Sequence, residues 1–189
     1  MLSTEVAGTR QKLKEIMLKV GVVSHGKYVL ASGQETDVYF SVKKAMLDAE
    51  GLAIIARIFY DKLKTLGVDA VGGLESGAIP IATAVSLLSQ KEGVGIPAFY
   101  VRKVAKSHGD KARLEGPLKV NSKVAIVDDV TTKGGSVQMA IDVVKEMGCD
   151  IMKVLVLVDR EEGASEKFKG YNYESIFLKS ELIDPAHSV

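Results

Sequence analysis

The sequence contains a single cysteine, Cys149. That excludes an internal disulfide and any cysteine-based zinc cluster, and it fits a reducing cytosol. An excess of one charge is also missing: 25 Lys and Arg against 24 Asp and Glu leave a formal net charge of +1. No global field therefore draws in nucleic acid or an anionic membrane, so an anion-binding site has to be built locally. No apolar run approaches the roughly 20 residues of a membrane span. The N-terminal stretch, with Glu5, Arg10, Lys12, Lys14 and Glu15, lacks the long apolar core of a signal peptide. There is no internal repeat, no low-complexity segment and no Pro/Gly/Ser-rich linker. With 189 residues, 47% of them hydrophobic, the expectation is one domain over residues 1–189 in a cytoplasmic protein.

What is present is a regular alternation. Val6, Leu13, Ile16, Met17 and Val20 recur at helical spacing before Gly21. Between Val22 and Val42 the glycines Gly26 and Gly33 punctuate short segments, Tyr28–Leu30 and Val38–Phe40, that read as strands. Helices are then expected over Asp48–Leu66, Ile79–Leu88 and Gly135–Met147. Strands are expected over Asp69–Val71, Pro97–Val101, Lys123–Val127, Lys153–Val158 and Tyr173–Leu178. The stretch Lys103–Pro117 is polar and basic, holds two glycines and has no clear period. Continuously apolar strands alternating with helices imply an α/β fold with a central parallel sheet covered on both faces. Residues 1–45 would form an N-terminal helix and hood, and residues 46–189 the α/β core.

Ligands in such folds bind beyond the carboxyl ends of the strands. Four segments follow strands: Gly72–Gly77, Arg102–Gly116, Asp128–Ser136 and Asp159–Gly163. In the third, the apolar run Val124–Val127 leads into Asp128-Asp129-Val130-Thr131-Thr132-Lys133-Gly134-Gly135-Ser136 and then a helix. Its glycines allow tight turns, and several backbone N–H groups then converge on one anion at the helix N-terminus. Thr131, Thr132 and Ser136 add hydroxyl donors. The two preceding carboxylates would repel a phosphate, so sugar hydroxyls attached to that phosphate are their natural partners. A plain strand–turn–helix connection capped by the Asp pair is the alternative for this segment. The Walker pattern, with Lys-Ser/Thr after the last glycine, is absent, as is Gly-x-Gly-x-x-Gly.

Val124–Ser136 resembles the ribose 5-phosphate signature of the type I phosphoribosyltransferases. The resemblance implies that Asp128 and Asp129 face the ribose hydroxyls of 5-phosphoribosyl-1-pyrophosphate (PRPP), with Thr131–Ser136 wrapped around its 5-phosphate. Lys133 stands where the family usually has a small residue. Arg102-Lys103-Val104-Ala105-Lys106-Ser107-His108-Gly109 resembles the mobile-loop motif of the orotate phosphoribosyltransferases. Pyrophosphate is the leaving group, so Arg102, Lys103, Lys106 and His108 on a closing lid would bind it, stabilise its developing charge and exclude water. Lys103, Lys106 and His108 are the catalytic candidates on this reading.

His25–Gly33 is similar to the family's Ser-Gly hood over the base, with Ala31 where many members carry lysine. Tyr39-Phe40 falls at the aromatic position near orotate, or is plain core. Val158–Gly163 resembles the stretch whose arginine, here Arg160, pairs with the orotate carboxylate, Thr132 adding its hydroxyl. Read alone, this Asp-Arg is a surface ion pair. Gly72–Pro80 matches the pyrophosphate loop.

Together these segments imply transfer of phosphoribose from PRPP to orotate, giving orotidine 5′-monophosphate and pyrophosphate in pyrimidine nucleotide synthesis. They further imply magnesium carried by the pyrophosphate rather than by an all-protein metal site. They also imply a homodimer in which Lys103 reaches the partner's site. A phosphoribosyltransferase for a purine or xanthine base is disfavoured by Arg160 and the lid. A PRPP-sensing regulator is disfavoured because no helix-turn-helix pair or basic patch is evident. Lys106→Ala or His108→Ala should therefore cut turnover by roughly 100-fold or more, the scale of losing one transition-state charge contact, with only a modest loss of PRPP binding. Steady-state rates and a PRPP titration measure the two, and unchanged turnover would remove the lid from the mechanism.

Overall fold

The computed structural model describes residues 2–29, 35–104 and 113–183. The chain begins with helix α1 (Leu2–Lys19), whose Leu13, Ile16 and Met17 are buried. Gly21, at φ 71°, ends this region and releases the chain into β1 (Val23–Val29) and β2 (Glu35–Phe40). These two strands form an antiparallel sheet of their own, pairing Val23 with Phe40 and Val29 with Glu35. Both are longer than the sequence suggests, because pairing recruits polar residues that lack strand character alone. Ala31, Ser32 and Gly33 of the expected hood lie outside the described residues.

A short helix α2 (Lys43–Met46) precedes α3 (Ala49–Leu63). Asp48 caps α3 by accepting a hydrogen bond from the Gly51 N–H at 2.8 Å, which satisfies one of the amides left over at a helix start. The chain then runs through β3 (Ala70–Leu74), α4 (Ala78–Lys91), β4 (Ala98–Val101) and the two-residue β5 (Leu114–Glu115). It continues through β6 (Lys123–Thr131), α5 (Gly135–Glu146), β7 (Asp150–Asp159) and α6 (Ala164–Phe168). A 3-10 turn (Lys169–Tyr171), β8 (Tyr173–Leu178) and α7 (Lys179–Leu182) follow.

The main sheet has six strands in the order β5-β4-β3-β6-β7-β8. All neighbours are parallel except β4 and β5, whose antiparallel pairing matches Tyr100 with Glu115 and Val101 with Leu114. Side chains alternate across a strand, and in β6 and β7 both sets are apolar. Ala125, Val127, Leu155 and Leu157 pack into one core with α1, α3 and α4, including Met17, Phe59 and Val85. Val124, Ile126, Val154 and Val156 pack into a second core with Ile141 and Val144 of α5 and with Phe168. Helices thus cover both faces of a mainly parallel sheet, the architecture expected from the continuous apolar runs.

Strands β3 and β6 also run on past the residues expected from the sequence. Gly72 and Gly73 lie inside β3 rather than in a turn, and they are glycine because neighbouring backbone comes too close for a side chain. A Cβ on Gly72 would run into the Phe99 carbonyl, and one on Gly73 into the Val127 carbonyl. Strand β6 extends through Asp128 to Thr131 because β7 offers it partners, Thr131 facing Asp159. Strand order also turns at the centre. From β3 the chain crosses over α4 to β4, and from β6 it crosses over α5 to β7 on the other side, the two helices belonging to opposite cores. Loops diverge at such a switch point, leaving a crevice beyond the strand ends.

Candidate active site

The carboxyl ends of β4, β3, β6 and β7 are consecutive in the sheet, so the four segments that follow them share one edge. At its centre Asp128 and Asp129 end the apolar part of β6, and they are 3% and 8% exposed. The Asp129 N–H donates to Asp128 Oδ1, and the Val130 N–H donates to Asp129 Oδ1, each at 2.9 Å. Gly77, in the turn after β3, packs directly on both carboxylates, and a Cβ there would collide with them. This is why the pyrophosphate-loop candidate carries glycine at that place. The peptide between Glu75 and Ser76, in the same turn, is cis.

Burial, and then the charge of Asp129, hold the Asp128 carboxyl well above the ordinary carboxylate range. A charge is costly where water is scarce, and a like charge adds to that cost. Lys43 Nζ, 3.4 Å from Asp129 Oδ2, offsets part of it.

Beyond the acids, Val130 is half-buried and Thr131 buried, and Thr131 Oγ1 has no hydrogen-bond partner among the described residues. Thr132 and Ser136 are half-buried, while Lys133 and Gly135 are exposed. Gly134 adopts φ 76°, and a Cβ there would strike the Phe168 ring. Two constraints therefore demand glycine. With this turn made, α5 starts at Gly135 without a side-chain cap, the arrangement in which a helix N-terminus receives an anion. Thr131, Thr132, Gly134, Gly135 and Ser136 are brought together here as the sequence suggested. Among the described residues Lys133 has no hydrogen-bond or ion-pair partner.

The Arg160 N–H donates to the Thr131 carbonyl at 2.9 Å, so the turn before α5 and the Asp-Arg segment are in direct contact. The Arg160 side chain is 36% exposed, with Nε 3.2 Å from Glu162 Oε1, though not in hydrogen-bond geometry. Behind it Asp159 is buried and accepts from the Tyr173 hydroxyl at 2.6 Å and the Glu161 N–H at 2.8 Å. Burial, followed by this bond to Asp159, pushes the Tyr173 phenol up, so it stays a donor. These contacts set the direction in which the chain leaves β7.

Arg102 and Lys103 stand at the fourth strand end. The Arg102 N–H donates to the Arg113 carbonyl at 2.7 Å, and Arg113 Nε returns a bond to the Arg102 carbonyl at 3.0 Å. The Lys103 N–H donates to Glu75 Oε1 at 2.8 Å, which joins the base of the basic segment to the turn after β3. Lys103 is exposed. Lys106 and His108 lie outside the described residues. Of the hood aromatics, Phe40 packs against the first core, whereas Tyr39 is 43% exposed and lies tilted against Tyr28 at 5.3 Å between ring centroids.

The sequence offered no sign of Lys43, which is 86 residues from its acid partner. The anchoring by Glu75, Phe168 and Tyr173 was equally hidden, since each acts through a contact that only the folded chain makes.

The buried Asp128 carries a cost at neutral pH. A carboxyl whose pKa is raised by folding favours the folded state at low pH and loses that contribution as pH rises. Asp128→Asn should therefore raise the Tm of the ligand-free protein at pH 8 by roughly 2–4 °C, the shift that ~1 kcal/mol gives at this chain length. The gain should shrink on acidification; an equal gain at every pH would assign it to another cause. Thermal unfolding followed by circular dichroism at several pH values measures it.

Residues 44–181 match the family model described as phosphoribosyl transferase domain. The chain is 42% identical over 184 residues to the orotate phosphoribosyltransferase of Rhodopseudomonas palustris (strain TIE-1), covering 94% of this chain and 98% of that protein. Among solved structures, the Mycobacterium tuberculosis H37Rv orotate phosphoribosyltransferase in complex with Fe(III) dicitrate superposes with a TM-score of 0.82 at 34% identity. That match covers 92% of this chain and 98% of the other. The same enzyme in complex with PRPP gives a TM-score of 0.73 at 28% identity over 93% and 92% of the two chains. With the switch-point crevice, the acid pair and the phosphate turn, these likenesses show that the chain belongs to the phosphoribosyltransferase family, within its orotate phosphoribosyltransferases.

Proposed function

We propose that the chain transfers the phosphoribosyl group of PRPP to N1 of orotate, releasing pyrophosphate and forming orotidine 5′-monophosphate. The observation that carries this reading is the contact between Arg160 and Thr131. It sets a guanidinium suited to a carboxylate beside a turn suited to a sugar phosphate, and so donor beside acceptor.

In this mechanism the Thr131–Ser136 turn holds the 5-phosphate through backbone N–H groups and the Thr131, Thr132 and Ser136 hydroxyls. The unpartnered Thr131 hydroxyl supports that role. Asp128 and Asp129 accept hydrogen bonds from the vicinal ribose hydroxyls. Arg160, aided by Thr132, pairs with the orotate carboxylate in the bidentate manner that a planar guanidinium favours. Arg102, Lys103, Lys106 and His108 neutralise the pyrophosphate as the C1–O bond breaks and its electron pair leaves with the phosphate oxygen. The nitrogen of anionic orotate supplies the pair for the new C1–N1 bond. Catalysis rests on positioning and on charge stabilisation, and no strong protein base is needed.

Magnesium suits such a site as a companion of the substrate, since a hard cation takes phosphate oxygens and water. The anion-receptive turn and the Glu75–Gly77 segment beside it leave those oxygens as its donors. When bound, it supplies positive charge to the leaving pyrophosphate.

We further propose a homodimer in which Lys103 serves the partner's site, an arrangement supported by family likeness and by the exposure of Lys103. A single folding unit is supported by the shared core: Leu13 and Met17 of α1 lie in the same cluster as Val127 of β6. The cytoplasm suits the buried free thiol of Cys149, and no helix among the described residues is long and apolar enough to cross a membrane.

Pyrophosphate release that requires both orotate and magnesium is the expected result in a coupled assay. Release with hypoxanthine or xanthine but not with orotate would reject the acceptor. Arg160→Ala should raise the KM for orotate by roughly 10–100-fold, as loss of a charge-assisted pair of about 1.5–3 kcal/mol predicts. The KM for PRPP should change little.

A further inference from the structure

The acid pair faces a ligand that is itself a polyanion, so its own negative charge works against binding. Lys43 is the cation placed to offset it, with Nζ 3.4 Å from Asp129 Oδ2. The lysine is presented from a fixed base. Val42, Ala45 and Met46 around it are each at most 2% exposed and belong to the first core. Helix α3 approaches closely enough that a Cβ on Gly51 would run into the Ala45 carbonyl. The next residue, Lys44, turns elsewhere: its Nζ donates to the Gly21 carbonyl at 2.9 Å and lies 3.4 Å from Ser24 Oγ. Two consecutive lysines therefore serve two places, the end of the N-terminal helix and the acid pair. The Lys43 side chain is 59% exposed, and an ion pair in that setting adds little to folding stability. Its contribution then lies in the charge balance of the crevice.

We infer that Lys43 is a positioning residue of the donor-sugar site. Its ammonium holds Asp129 in place and offsets the charge of the pair, so that both carboxylates accept ribose hydroxyls without repelling the attached phosphates. Because β2 leads into α2, the same lysine ties the N-terminal hairpin to the donor site. The inference rests on the reading of this crevice as a PRPP site.

The test uses full-length Lys43→Met, which keeps an apolar stem without the charge, and Lys43→Arg, which keeps the charge. PRPP with magnesium is titrated calorimetrically, and steady-state rates and Tm are measured alongside. Lys43→Met should raise the Kd and KM for PRPP about tenfold with kcat within about twofold, the pattern of an interaction made equally in ground and transition states. Lys43→Arg should recover most of the affinity, with Tm unchanged in both variants. Equal PRPP affinity in Lys43→Met and wild type overturns the inference alone. So does a fall in Tm that Lys43→Arg does not restore, because the role is then structural. No PRPP binding by the wild-type chain overturns the donor-site reading itself, and this inference with it.

Discussion

Two carboxylates held side by side in a poorly hydrated crevice are the constraint around which the rest of the structure is arranged. Each would be better hydrated in water, and each raises the cost of charging the other. They persist because the backbone supports them, through the Asp129 and Val130 amides, and because Lys43 supplies a nearby cation. The same closeness forces Gly77 against them. On the proposed reading the pair accepts hydrogen bonds from a sugar, and holding acceptors ready before the sugar arrives opposes stability in the empty state.

The sheet makes the constraint possible. Parallel strands end at a common edge, and the reversal of strand order between β3 and β6 lets their loops part rather than clash. Glycines in β3 let three backbones come close, so the turn after β3 meets the end of β6. On the other side, the pairing of Thr131 with Asp159 carries the turn before α5 into contact with Arg160. The turn before α5 and the Asp159-Arg160 segment are therefore linked through the main chain.

Charge is divided by place. The carboxylates and their lysine occupy the centre of the crevice. Arg102 and Lys103 stand at its rim, where Glu75 fixes the Lys103 amide and Arg113 closes the base of the segment. On the proposed reading, charge at the centre meets the sugar and charge at the rim meets a leaving group on which negative charge builds up.

By itself the sequence determined the layered α/β architecture, because uninterrupted apolar runs such as Val124–Val127 bury both faces of a strand and leave no other parallel solution. The turn within Asp128–Ser136 was legible too, since its acids, hydroxyls and glycines are contiguous and their chemistry is local. The contacts of Lys43 with Asp129, Gly77 with both acids, Gly134 with Phe168, and Tyr173 with Asp159 were decided only by the tertiary structure. So was the use of Gly72 and Gly73 inside a strand rather than in a turn. Hydrophobic periodicity records which face of an element is buried, but it carries no record of which distant element arrives there. That depends on strand order and register, which emerge only when the whole sheet pairs.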